Sequence, residues 1–421
     1  MMQIRQQTMV RSAMISLLLL CFGFSESLFA QDMNSKNPSI NKVVTVPKPR
    51  VLEIVDRPFP KLMPGSGSVI IKTEIAALCV DDKMWTAHDH EWFSDPIYGM
   101  GHEGVGTVVD AGGSTKLKAG DRVLVSHGGF CGRCRACVNY LSQAHCTSLA
   151  GGEVGGSENP PEFFVDGLAP IERKNNSESG WAALAQYRLA DEGTCTLLPE
   201  DLDFKYAIGG ECSVGMAYCA QEFIHVRDGD RLLLVGNGQR QFSLAHVIVG
   251  LYRGAKVIAA VQDDFQADLV RRMGEARGGT PDLHVVDMRD DDWEAQVKAL
   301  TDGEGPDKIA DFTSVEEHLN TALSLIAHDG FLYIQENLYN PNRRLSIDPY
   351  AHMAEKNITI AGTIDSRAKD RPGIIRMLRN KEVQRMWDVM TTHEFPLAEV
   401  DEALELTATR QCGKVLVYPH R

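Results

Sequence analysis

Across residues 51–125 apolar and polar positions alternate in short runs divided by Pro and Gly, as in Ser68-Val69-Ile70-Ile71-Lys72-Thr73 and Val105-Gly106-Thr107-Val108-Val109. A period of two with frequent breakers predicts short strands joined by turns, suited to a small, largely antiparallel barrel. From Tyr206 the texture changes. Leu232-Leu233-Leu234-Val235 leads into Gly236-Asn237-Gly238, then a helical stretch over 242–252, then Lys256-Val257-Ile258-Ala259-Ala260-Val261. Phe265, Leu269, Val270 and Met273 recur at helical spacing before Leu283-His284-Val285-Val286. Further strands are expected at 308–312, 331–335, 358–360 and 414–417, with a helix near 383–390. Strands alternating with helices predict a doubly wound parallel sheet, so the chain reads as α/β with two dissimilar halves.

Two stretches fall outside this rhythm. Residues 147–180 carry many Gly, Pro, Asn and Glu with no sustained periodicity and read as a long surface excursion. At the other end, Arg5 and Arg11 precede an apolar run over 13–24, and Ser25 to Ala30 can end in a cleavage site before Gln31. That order of basic, apolar and small residues is a secretory signal peptide at 1–30, and the apolar run is too short for a membrane span. The polar residues 31–47 then read as a linker. The expected location is the periplasm, or the cytoplasm if translation starts at Met33.

With 421 residues and 43% hydrophobic content the chain can bury two cores. Lys plus Arg number 43 against 57 Asp plus Glu, a net charge of −14, and no basic block interrupts this. Nucleic acid is excluded as a partner on those grounds.

The chemistry gathers between Gly101 and Cys146. Cys131, Cys134, Cys137 and Cys146 are spaced C-x2-C-x2-C-x8-C in a lobe rich in Gly and Arg. Four thiolates so spaced suit tetrahedral zinc in a closed shell with no open position, while an exported chain leaves two disulfides as the alternative. Before the lobe stands Gly101-His102-Glu103-Gly104; Cys79 lies upstream and Glu211 downstream, in Gly210-Glu211-Cys212-Ser213-Val214. One thiolate, one imidazole and one or two carboxylates make an open zinc shell with room for water or substrate. Cys212 and Cys219 read as small buried residues, and His88 and His90 as surface residues.

In family order, the Cys79-x-x-Asp82 turn, Gly-His-Glu, the four-cysteine lobe, the Glu-x-Ser-Val segment and the dinucleotide-type half resemble the zinc-dependent medium-chain dehydrogenase/reductase family. The loop Gly236-Asn237-Gly238 and the segment Gly362-Thr363-Ile364-Asp365-Ser366-Arg367 are most similar to its glucose and polyol dehydrogenase branch. The resemblance implies a GroES-like, mainly β catalytic domain over 48–208 and a Rossmann domain over 209–362. Residues 363–421 would then return to the catalytic domain. It also implies two zinc ions per chain, one in the lobe and one held by Cys79 and His102, with Glu103 and Glu211 completing or exchanging in the shell. Asp81 stands where the family carries the alcohol proton away, and Asp365 near the nicotinamide. An alcohol or sugar substrate and a homodimer or homotetramer complete the expectation.

The dinucleotide signature departs from G-x-G-x-x-G. After Gly236 and Gly238 come Gln239, Arg240, Gln241 and Phe242, so the third glycine is missing and Arg240 is left to pair with a phosphate. At the end of the second strand Val261 is followed by Gln262, Asp263 and Asp264; Asp263 is the candidate for the ribose hydroxyl, and NAD is favoured over NADP because no base stands there. The main reading is hydride transfer between a sugar or polyol hydroxyl and a nicotinamide. An exported zinc enzyme doing lyase- or epimerase-like chemistry with a tightly held cofactor or none, and a non-catalytic sugar-binding relative, remain as alternatives.

Overall fold

The computed structural model describes residues 38–48, 51–62, 67–79, 99–112, 114–126, 134–138, 182–236, 240–279, 281–313, 315–335, 343–362 and 367–421. Residues 1–30, His88, His90 and the excursion at 147–180 lie outside them. In chain order the strands are β1 (Ile40–Lys48), β2 (Val51–Pro58), β3 (Ser68–Leu78), β4 (Glu103–Asp110), β5 (Arg122–Val125), β6 (Tyr187–Asp191), β7 (Cys195–Leu197), β8 (Arg231–Val235), β9 (Lys256–Val261), β10 (Leu283–Asp287), β11 (Lys308–Asp311), β12 (Phe331–Ile334), β13 (Thr359–Gly362), β14 (Thr391–Pro396) and β15 (Lys414–Tyr418). Among the described residues no helix is long and apolar enough to cross a membrane.

A seven-stranded sheet runs in the order β14, β15, β3, β4, β5, β7, with β6 paired to β3. All of these pairings are antiparallel except β14 with β15. The last strand of the chain therefore sits in the middle of a sheet built mostly from residues before 200. The polar composition of 31–47 assigns that stretch to a linker, yet Ile40–Lys48 is a strand with Val44 and Val46 fully buried. The β-branched run Val43-Val44-Thr45-Val46 outweighs its polar neighbours, because such side chains pack well on a pleated surface.

A six-stranded, all-parallel sheet has the order β10, β9, β8, β11, β12, β13. Leu232 and Leu234 face one core and Leu233 and Val235 the other, all at 2% exposure or less. Burial on both faces explains why these strands read as unbroken apolar runs. The covering helices include α1 (Ser213–Phe223), α2 (Arg240–Tyr252), α3 (Asp264–Arg277), α4 (Trp293–Leu300), α5 (Glu316–Leu325), α6 (Arg371–Leu378) and α7 (Lys381–Met390). The helix expected near 383–390 begins two residues earlier, because the Asn380 side chain accepts from the Glu382 and Val383 amides. Chain order reverses between β8 and β11, the switch point at which open α/β sheets bind ligands.

Candidate active site

Three strand ends of the seven-stranded sheet meet at one place. Val415 pairs with Leu78, so Lys414 at the start of β15 lies across from Cys79 just past β3; Ala77 pairs with Glu103, which opens β4. With side chains alternating between faces, Cys79, Glu103 and Lys414 share one face of the sheet. Gly101 turns the chain into β4 at φ 87°, where an added Cβ would lie 2.9 Å from Leu184 Cγ, so only glycine leads into His102 without strain.

Onto this edge α1 brings a fourth group. Ligand atoms of Cys79, His102, Glu103 and Cys212 all lie within 4.8 Å of one another, and all four residues are buried. Cys79 Sγ stands 3.8 Å from Cys212 Sγ, and the Lys414 ammonium donates to Glu103 Oε1 at 2.5 Å and to Gln241 Oε1 at 3.0 Å. Gln241 Nε2 in turn donates to Cys79 Sγ at 2.9 Å. Burial pushes the Glu103 carboxyl up to about 7 against the pull of Lys414. Burial also opposes a thiolate at Cys79, but hydrogen bonds from Cys212 and His102 and the charges of His102 and Lys414 outweigh it and hold that thiol well below its ordinary value. The hydrogen bond to Cys79, then burial, push the Cys212 thiol the other way, well above its ordinary value.

Of the residues expected at this site, Cys79, His102 and Glu103 come together, whereas Glu211 does not join them. Its carboxylate accepts from Ser126 Oγ at 2.6 Å, and Ser126 is held in turn by Arg371 Nη2 at 2.5 Å. The neighbouring thiol of Cys212, read from sequence as a small core residue, takes the place facing the group. Successive side chains point in different directions, so only one of Glu211 and Cys212 can face the sheet edge, and the carboxylate goes where Ser126 meets it. Lys414 and Gln241 also escaped the sequence reading. A lysine opening the apolar run Val415-Leu416-Val417 was the available signal, since a buried ammonium requires an anionic partner.

The donor set fits zinc. Two thiols, an imidazole and a carboxylate suit a borderline-soft tetrahedral ion, and Glu103 Oε2 is fully buried with no hydrogen-bond partner among the described residues. Of the four lobe cysteines only Cys134 has a described side chain, half-buried before the single helical turn Arg135–Val138; Cys131, Cys146 and the side chain of Cys137 lie outside the described residues.

On the dinucleotide side Gly236 ends β8 at φ 81°, and a Cβ there would come 2.2 Å from Thr313 Cγ2, so the turn is a cradle that any side chain would fill. Asp263 Oδ1 accepts from the Gln266 amide at 2.8 Å as the N-cap of α3. Arg240 opens α2, two residues earlier than the apolar pattern indicates. Asn237, Gly238, the Arg240 side chain, Asp81 and Asp365 lie outside the described residues.

Residues 65–200 match the family described as alcohol dehydrogenase GroES-like domain, and residues 221–380 match zinc-binding dehydrogenase. An L-threonine 3-dehydrogenase from Caldanaerobacter subterraneus is 26% identical over 87% of this chain and 95% of its own length. A sorbitol dehydrogenase from Bacillus subtilis is 24% identical over 91% and 99%. An alcohol dehydrogenase from Escherichia coli, solved with NADH, superimposes with a TM-score of 0.70 at 21% identity, covering 90% of this chain and 100% of that one. These relatives are dehydrogenases, and neither the non-redox nor the non-catalytic alternative is favoured. The chain belongs to the zinc-dependent medium-chain dehydrogenase/reductase family and is a zinc-containing, NAD(P)-dependent oxidoreductase.

Proposed function

We propose that the chain interconverts a hydroxyl of a polyol or sugar with the corresponding carbonyl, alcohol and NAD giving carbonyl, NADH and a proton. The observation that carries this reading is the convergence of Cys79, His102, Glu103 and Cys212 within 4.8 Å at a buried sheet edge. The sorbitol dehydrogenase relative supports the substrate class.

Cys79, His102 and Cys212 would hold the zinc, with Glu103 as the exchangeable fourth group. Bound there, zinc supplies Lewis-acid polarisation that lowers the pKa of a substrate hydroxyl. Lys414 fixes Glu103 Oε1 and leaves the buried Oε2 with no hydrogen-bond partner among the described residues. Exposures of 4% or less for Cys79, His102, Glu103 and Cys212 exclude bulk water and strengthen every charge interaction inside. By the family resemblance, Asp81 would receive the departing proton and Asp365 would serve the nicotinamide side.

NAD is preferred to NADP. The run after β9 carries Asp263 and Asp264, and a nearby base, Arg289, is committed to Asp264 and Asp287 at 2.5 Å each. Cys131, Cys134, Cys137 and Cys146 would hold a second zinc. Residues 1–30 direct export to the periplasm, and the mature chain works as a dimer or tetramer.

The test is zinc content per chain, saturable NAD binding, and a screen of polyols and sugars by reduced-nicotinamide absorbance. A protein that binds neither NAD nor NADP at millimolar levels, or that turns over without added nicotinamide, overturns the reading. Mass spectrometry of secreted protein checks export; an intact N-terminus in place of one at Gln31 sinks it.

A further inference from the structure

Gln241 stands where the dinucleotide signature calls for its third glycine, three residues past Gly238 in the first turn of α2. A glycine there would touch nothing beyond its own turn. Gln241 instead sends a side chain, 7% exposed, to the metal group on the other sheet. Lysine has only donors, so Lys414 Nζ at 3.0 Å obliges the amide oxygen to face it. The amide nitrogen is left facing Cys79 Sγ at 2.9 Å, and the same ammonium holds Glu103. One planar amide thus joins a candidate metal ligand to the helix whose N-terminus follows the dinucleotide loop.

We propose that Gln241 is a positioning residue that grips the Cys79 sulfur from the first turn of α2, so that metal retention at the Cys79 group and dinucleotide occupancy of the loop are coupled. A hydrogen bond to a thiolate stabilises it against reprotonation and fixes its direction. Groups that orient metal ligands in this way are worth about 10–100-fold in metal affinity. A dinucleotide settling on the Gly236 loop bears on the helix that carries Gln241 and therefore on the sulfur, and by linkage the metal favours the dinucleotide to the same degree. The dinucleotide half of this proposal rests on the dehydrogenase reading; the grip on Cys79 does not.

The experiment follows zinc release from the holoenzyme to a chromophoric chelator, with and without saturating NAD, for wild type, Gln241→Gly and Gln241→Met. The relevant zinc is the one that Cys212→Ser removes. Glycine restores the usual loop, and methionine keeps the volume while removing both hydrogen bonds, so a glycine variant that fails to fold leaves the methionine variant to decide. Release from the variants about 10–100-fold faster than wild type, with NAD slowing release in wild type but not in the variants, is the expected result. Wild-type release rates in Gln241→Met overturn the grip, and equal protection by NAD in wild type and variants overturns the coupling. Failure of wild type to bind NAD while the variants still lose zinc faster removes the dehydrogenase reading and the coupling, and upholds the grip.

Discussion

Lys414 Nζ lies 2.5 Å from Glu103 Oε1, and both side chains are fully excluded from solvent. The two residues are 311 positions apart in the chain and meet because β15 inserts beside β3. Breaking a buried pair by removing one partner costs about 3–5 kcal/mol, since it strands a charge. Lys414→Met is therefore expected to lower unfolding stability by about that much, and the double variant Lys414→Met, Glu103→Leu to recover most of it. Urea denaturation of the three proteins checks this; a double variant no more stable than the single one contradicts it.

Cys212→Ser should lose the active-site zinc on dialysis, and Glu211→Gln should keep it, because Glu211 is engaged by Ser126 while Cys212 faces Cys79. Metal analysis of both variants decides between adjacent residues that the sequence leaves hard to separate. The reverse pattern would reinstate Glu211 as the ligand.

His246 is fully buried on α2, its Nε2 3.2 Å from Gln335 Oε1, and burial pushes it down to about 3. The unfolded chain takes up this proton near pH 6.5 and the folded chain does not until about 3, so the unfolded state binds more protons in between. This contribution to stability is complete above about 6.5 and is lost on acidification, by about 1.4 kcal/mol per pH unit. Comparing wild type with His246→Gln by denaturation at several pH values should show the difference growing at that slope; parallel curves would refute it.

Gly236→Ala meets both a positive φ and Thr313 Cγ2 at 2.2 Å. It should cost about 1–3 kcal/mol in stability and weaken NAD binding. Adding Thr313→Ser removes the methyl group but not the backbone strain, so only part of the loss should return. Calorimetry with NAD measures both effects.

The parallel sheet was legible because its strands are buried on both faces and bounded by helices with clear spacing. The β-rich half was legible from alternation, apart from β1, hidden under polar neighbours. Cys79, His102 and Glu103 stood out because residue type and short spacing carry their chemistry. Cys212, Gln241 and Lys414 did not, because each acquires its role from strand register and helix placement across more than a hundred positions. Nothing local marks a glutamine as a partner for a sulfur in another sheet.

The position of β15 makes the metal group a joint product of distant segments. Lys414 follows Glu103 by 311 residues, so the ammonium that grips this carboxylate arrives only when β15 takes its place beside β3. Closing the sheet and orienting the carboxylate are thereby one event. A substitution that loosens the β15–β3 pairing is felt at the metal group even when every candidate ligand is left untouched.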